Sequence, residues 1–385
     1  MGMMEDTGVY LDHAASAPLR PEAREALLSF LDGRFGNPSS IHRFGREARA
    51  ALEDARARLA RVIGADPAEI VFTRAGTEAD NLAVLGRGRV DGSHLAAVSA
   101  IEHKAVLASA HAATEDFDCE LYLLDVDEHG VISMETVEAA LSGSPAVVSV
   151  MWANNEMGAL QPVAEIAARC RAAGVAFHSD AVQALGKVPV RVDEVAADLV
   201  AFSAHKVGGP KGVGALYVRR GTRLHPLLHG GGQERGMRPG TEDVAGAAGF
   251  AAAAEGAEAE RETAMARIGA LRDRLEAGLR AAVPGLVVNA AGAPRLPTIG
   301  NVSVPGADPE ALLMGLDLEG IAVSSGSACS SGAVEPSHVL TAMGIPPELA
   351  GPSIRFSLGW TTTEAEIDRV LAVFPRVAER VRAPG

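Results

Sequence analysis

The sequence predicts an α/β protein: a large domain whose mostly parallel sheet is flanked by helices, plus a smaller α+β domain. Three observations carry this. The chain has 385 residues, long for one core at roughly 100–200 residues per domain. Short β-branched runs alternate with helical stretches from Glu69 to Val218, the pattern of a parallel sheet covered on both faces. Beyond an Ala/Glu/Arg-rich helical stretch at 244–280, strands and helices follow in a different order. The expected division is 15–255 for the large domain, with 1–14 and 256–385 forming the small one.

The elements justify this in turn. The first dozen residues are extended. A helix at 21–31 opens on a proline, whose missing N–H costs nothing in a first turn. After a loop at 35–40, the stripe Leu52, Leu59, Val62, Ile63 marks a long helix at 43–62. Strands are expected at 69–73, 94–99, 120–124, 146–152, 175–179, 199–202 and 214–218, and helices at 77–85, 104–113, 134–141 and 162–173. The second domain reads as strand 298–304, helix 308–316, strands 321–323 and 353–357, and a final helix 364–381.

Composition narrows the function. Apolar residues make up 48% and charged residues 22% of the chain, an ordinary globular balance. A net charge of −14 without blocks of like charge argues against nucleic acid and anionic membranes as partners. No apolar run approaches the roughly 18 residues of a span. The acidic start lacks the parts of a signal peptide. The three cysteines, Cys119, Cys170 and Cys329, form no CxxC and no even framework, as in a reducing compartment. A cytoplasmic protein is expected.

Chemistry gathers where strands end, the place ligands occupy in such sheets. The run Asp198-Leu-Val-Ala-Phe-Ser203-Ala-His205-Lys206 closes a buried strand on a lysine, and only four of the 35 basic residues are lysines (Lys104, Lys187, Lys206, Lys211). A lysine at such a rim is costly unless its amine is paired or reactive, although a simple strand cap would also account for it. Phe72-Thr73-Arg-Ala-Gly76-Thr77 is a strand, a small-residue turn and a helix start with Thr77 as N-cap and Asp80 at N3. It is either an anion site or a plain capped helix. His103 follows another strand, and Asn154-Asn155-Glu156 a third. Alternation puts His178 and Asp180 on one face. A metal reading of that pair lacks a third ligand at a helpful spacing. A pyridine-ring electron-sink cofactor needs a lysine for its aldehyde and an acid for its ring nitrogen. Lys206 and Asp180 could supply both, with Thr77, Ser203 and His205 on a phosphate.

The run from Asp198 to Gly212 resembles the pyridoxal-phosphate lysine motif of fold-type I enzymes, in particular the class V aminotransferase family. Within that family the chain is similar to cysteine desulfurases serving iron–sulfur or nitrogenase cluster assembly. Tyr10-Leu-Asp12-His13, Gly36-Asn37-Pro38, Glu102-His103-Lys104, Arg238-Pro-Gly240-Thr241 and, most specifically, Ser324-Ser-Gly-Ser-Ala-Cys329-Ser-Ser-Gly332 carry the likeness.

The resemblance implies pyridoxal 5'-phosphate held covalently by Lys206, with Asp180 on the ring nitrogen, Gln183 on the ring oxygen and His103 over the ring. Gly76, Thr77, Ser203 and His205 would hold the phosphate, joined by Thr241 from the second subunit of a homodimer. Asn155 and Arg355 would orient the substrate carboxylate, with Asn37 in a loop on the substrate side. The implied reaction turns L-cysteine into L-alanine, passing sulfur to Cys329 as a persulfide for an iron–sulfur scaffold or another acceptor protein. No resident metal is implied, and Cys329 is the one residue that could ligate a transient cluster. Selenocysteine lyase, or another β-lyase of the family, is the neighbouring reading. A hydrolase built on Cys329 and His338 would leave Asp180, Lys206 and Thr77 without purpose. Cys170 falls on the helical stripe of Val163, Ile166 and Ala167 and reads as core. Cys119 opens a strand with no activating neighbour.

Overall fold

The computed structural model describes residues 8–90, 95–117, 120–325 and 336–382. Cys119 and Cys329 lie outside the described residues. In the first half, β1 (Val9–Tyr10), α1 (Pro21–Leu28) and α2 (Arg43–Ile63) precede β2 (Ile70–Thr73) and α3 (Gly76–Gly88). Then β3 (Leu95–Ser99), α4 (Lys104–Phe117), β4 (Glu120–Leu124), α5 (Met134–Ser142), β5 (Val147–Ser149), α6 (Val163–Ala173) and β6 (Ala176–Asp180) alternate. β7 (Leu199–Ser203) and β8 (Gly214–Val218) follow, and then α7 (Val244–Ala282). The remainder is β9 (Val287–Val288), β10 (Ile299–Ser303), α8 (Pro309–Leu318), β11 (Ile321–Ala322), α9 (His338–Ala342), α10 (Pro347–Ala350), β12 (Ser353–Ser357) and α11 (Glu364–Arg380).

Seven strands form the main sheet in the order β2-β8-β7-β6-β5-β3-β4. All neighbours run parallel except β8, which is antiparallel to both β2 and β7. Every residue of β2 and of β5 through β8 is buried. That two-sided burial is why these segments read as near-continuous apolar runs. The sheet order sets β6 and β7 side by side with Asp180 paired to Ala201, so the ends bearing Asp180 and Lys206 are neighbours.

The two largest apolar cores lie apart. One covers a face of the large sheet, and the other gathers Leu11, Val302, Phe356 and Phe374 around the three-stranded sheet β12-β10-β9. The 39 residues of α7 reach about 58 Å at 1.5 Å per residue, enough to serve both. Val244, Phe250 and Ala254 pack in the first core, and Ile268, Leu271 and Leu275 in the second. Cys170 is buried in the first core as a free thiol, and burial pushes it up to about 12, as expected of an inert core cysteine.

The structure corrects two expectations and adds one pairing. α3 begins at Gly76 with Ala75 in the cap position and no side-chain cap, so Thr77 lies inside the first turn. The strand expected at 146–152 is regular only over β5. The extended start makes a parallel two-residue pairing with β11, a contact across the whole chain that no local pattern announces. Among the described residues no helix is long and apolar enough to cross a membrane.

One buried ion pair ties the loop before α7 to the sheet. Both guanidinium nitrogens of Arg56 donate to Glu234 at 2.8 Å, and the Phe72 N–H donates to the same carboxylate at 3.0 Å. Glu234 and Arg235 both hold positive φ, 45° and 56°, so the pair keeps a strained turn closed. Glu234→Ala strands a buried guanidinium and an N–H together. A loss of about 3–5 kcal/mol in a denaturant titration is expected; a loss below about 1 kcal/mol would make the pair ornamental.

Candidate active site

A cavity of about 420 Å³ opens at the carboxyl ends of the parallel strands. Ten of the residues singled out by sequence line it: Gly76, Thr77, His103, Asn155, Asp180, Gln183, Ser203, His205, Lys206 and Arg355. Asn37 and Thr241 do not. Both are exposed, and the Asn37 carboxamide caps its own turn by accepting the Ser39 N–H at 2.9 Å.

Lys206 follows β7 in a single 3₁₀ turn. Its Nζ donates to the carbonyls of Ala14 and Ala15 at 2.6 and 2.9 Å. Burial and the nearby Arg355 guanidinium lower its amine to about 8, against the pull of Asp180 and Asp12. An appreciable share of free amine at neutral pH follows. Asp180, at the end of β6, accepts the Val182 N–H at 2.8 Å. Burial raises its carboxyl, while His103, that N–H and Lys206 oppose the rise. A buried carboxylate so placed calls for a cationic N–H partner.

The imidazole of His103 accepts the Ala105 N–H at Nδ1, 3.1 Å away. An amide N–H can only donate, so the neutral ring carries its proton on Nε2. Burial, the largest influence, lowers its basicity, with Asp180 opposing. His205 is held down to about 4 by burial and by Lys206, Lys211 and Lys187, a neutral ring suited to donating a hydrogen bond. Gly76 and Thr77 form the first turn of α3, whose N-terminal N–H groups and dipole favour an anion. Ser203 and His205 line the same cavity.

Opposite, Arg355 projects from β12. It donates to Asp12 at 2.8 Å and to the Asn155 carbonyl at 3.0 Å, and its buried Nε has no partner among the described residues. The Arg355 backbone also makes a two-way bridge with Ser324, its N–H reaching the Ser324 carbonyl at 2.7 Å. Ser324 and His338, at the two described ends flanking 326–335, both line the cavity.

Several groups escaped the sequence reading. Asp80 is 1% exposed and lies 3.6 Å from His178 Nε2, while His178 Nδ1 meets the Ser149 hydroxyl at 2.8 Å. Burial, with the charges of Asp180 and Glu102, pushes the Asp80 carboxyl well up. Polar atoms of Asp80, His103 and Asp180 lie within 4.8 Å of one another. A metal could use that spacing, but Lys206, Arg355 and the N-terminus of α3 face the same cavity and all repel a metal cation. His338, whose Nε2 donates to the Glu102 carbonyl at 2.9 Å, belongs to this cavity.

Comparison with known proteins places this geometry. The profile of the class-V aminotransferases matches residues 9–370, and the chain belongs to that family. It is 45% identical over 377 residues to cysteine desulfurase IscS of Dictyoglomus turgidum, covering 97% of this chain and 95% of that one. It is 44% identical over 377 residues to cysteine desulfurase NifS of Azotobacter vinelandii, covering 97% and 93%. A solved NifS-like protein superposes with a TM-score of 0.90 at 34% identity over 97% of this chain and 100% of that one. Within the family, the chain is one of the cysteine desulfurases.

Proposed function

We propose that the protein binds pyridoxal 5'-phosphate and converts L-cysteine to L-alanine, moving the sulfur to Cys329 as a persulfide. The observation that carries this is the convergence of Lys206, Asp180, the start of α3 and Arg355 on one cavity. The donor set fits the cofactor. A reactive amine, a buried carboxylate and an anion-binding helix start answer its aldehyde, ring nitrogen and phosphate in turn. When bound, the cofactor supplies an electron sink that eases loss of the substrate's α-proton and opening of its carbon–sulfur bond.

The chain's own residues then have separable tasks. Lys206 would hold the cofactor and, as a free amine, take the α-proton. Asp180 would pair with the ring nitrogen, Gln183 would meet the ring oxygen, and His103 would cover the ring and help move protons. Gly76, Thr77, Ser203 and His205 hold the phosphate. The Arg355 fork and Asn155 take the substrate carboxylate, with Asn37 in a loop on the substrate side. Cys329 attacks the substrate sulfur as thiolate. A sulfur–sulfur bond forms, the carbon–sulfur bond breaks, and the carbon keeps that electron pair and gains a proton. Cys329 stands five positions beyond Ser324, a reach of at most about 18 Å.

The persulfide is passed on to an iron–sulfur scaffold or another acceptor protein. A homodimer would bring Thr241 to the second subunit's phosphate. The apolar face of Leu227, Leu228 and Met237 beside Thr77 suits burial by a second copy. The domains divide at 15–255 against 1–14 and 256–385, and the buried free thiol of Cys170 fits the cytoplasm.

Incubation with L-cysteine, without reductant, tests the reading. One alanine should appear per sulfur atom added to the Cys329 peptide by mass; alanine without that added mass would overturn the persulfide, and no alanine would overturn the reaction. L-selenocysteine turned over in preference would make the protein a lyase.

Only the uncharged amine attacks an aldehyde, so capture of pyridoxal phosphate by the cofactor-free protein should quicken as pH rises to about 8 and level off above it. Below that point the rate falls about tenfold per pH unit. Absorbance kinetics across pH 6–10 check this (a range set by about two units either side of the amine's pKa). A break near the ordinary lysine value would mean that burial does not tune Lys206.

A further inference from the structure

Lys187 has no place in the roles above, although it stands a few residues past Asp180 in a chain with four lysines. The turn that carries it closes tightly. Gly186 holds a φ of +70°, and a Cβ there would sit 2.7 Å from Ala257 Cβ and 2.8 Å from Val207 Cγ2. The turn brings the Lys187 amine back to Gln183, where Nζ donates to Oε1 at 2.8 Å. On its other side, Gln183 Nε2 donates to the Ala14 carbonyl at 2.9 Å. That carbonyl also accepts the Lys206 amine.

These contacts leave the carboxamide one orientation. A backbone carbonyl has only lone pairs to offer, so the side of the amide that faces Ala14 is its N–H. A flipped amide would set oxygen against oxygen there, so the O and N assignment follows from that partner and leaves Oε1 to the Lys187 amine. Gln183 is 4% exposed and lines the cavity. With one N–H on Ala14, its second N–H remains for a ligand. Burial, Lys206 and Arg355 lower the Lys187 amine to about 7, yet its N–H on Oε1 polarises the amide and strengthens that donor whether or not the amine is charged.

We propose that Lys187 is a positioning residue: it fixes the Gln183 carboxamide so that the cofactor's ring oxygen is met by an N–H and favoured as the anion. The inference rests on the pyridoxal-phosphate reading of the site. The lysine touches no reacting atom; it acts through Gln183.

Titration of cofactor-free variants with pyridoxal phosphate, read by affinity and by the absorption spectrum, tests it. Lys187→Met should bind about tenfold more weakly, with the bound band moved to shorter wavelength as the ring oxygen becomes neutral. Lys187→Arg, which still donates, should restore the native spectrum. Gln183→Met should show the same loss, and adding Lys187→Met to it should change nothing further, because coupled residues are not additive. A native spectrum in Lys187→Met, or losses that add in the double variant, overturns the proposal.

If Lys187→Met does not fold, Gln183→Glu decides. Its carboxylate still accepts from Lys187 but has no N–H for the ring oxygen, so a native spectrum there also overturns the proposal. A wild-type protein that binds no pyridoxal phosphate would overturn the cofactor reading and this proposal together, an outcome distinct from unchanged variants of a cofactor-binding protein.

Discussion

Lys206→Ala abolishes covalent retention of pyridoxal phosphate and slows cysteine turnover by about 10³-fold or more, the scale on which loss of a nucleophile is felt. The size of the effect follows from the position. The amine sits beyond a fully buried strand, bonded to two carbonyls, and none of Lys104, Lys187 and Lys211 occupies that place. Lys187 is held on Gln183. Borohydride treatment followed by peptide mass measurement should fix the cofactor on the Lys206 peptide of the wild type and on none in the variant. A labelled Lys187 or Lys104 peptide would sink the assignment, as would near-native turnover. Circular dichroism serves as the control for folding, since the carbonyls of Ala14 and Ala15 lose their donor.

Cys329→Ser should separate cofactor chemistry from sulfur transfer. The cofactor would bind with wild-type affinity, because none of the cavity groups that hold it is touched. Sulfide release from cysteine under reductant falls by about 10³-fold or more, because a hydroxyl at neutral pH lacks both the anion and the polarisable sulfur that accept a sulfur atom. If the variant releases sulfide normally, the acceptor is another thiol or the solution itself. Cys170 is a poor alternative, buried in the core with a raised pKa.

The sequence carried the site better than it carried the connections within it. β4, β8 and β12 fall where their apolar runs end, because both faces or one whole face of each run is decided by local pattern. Lys206 and Asp180 were legible for the same reason, each being a charged residue at or just past the end of a buried strand. Thr77 was misread as a cap because its chemistry suits one. The helix starts a residue sooner, at Gly76, which packs against Val182 and Ser203, and no local signal reports that contact.

Asp80 looked like an ordinary residue of a first turn, yet α3 lays that face on the sheet and buries it opposite His178. The pairing of Asp12 with Arg355 joins residues 343 apart, and only the folded chain brings them together. Lys187 was counted but given no part, since nothing in a run of residues says that a turn will fold its amine back on Gln183.

The bridge between Ser324 and Arg355 has a mechanical consequence. The segment bearing Cys329 springs from the backbone of the residue whose side chain would hold the substrate. The start of the tether to the proposed sulfur carrier is thus bonded to the proposed clamp rather than to the periphery. Any drift of this part of the chain moves Ser324 and Arg355 together. Lengthening or shortening the tether between its two posts, Ser324 and His338, should therefore change how far sulfur can be carried while leaving the grip on the amino acid as it is. The length of this tether would then set which acceptor proteins the enzyme can serve, independently of its chemistry.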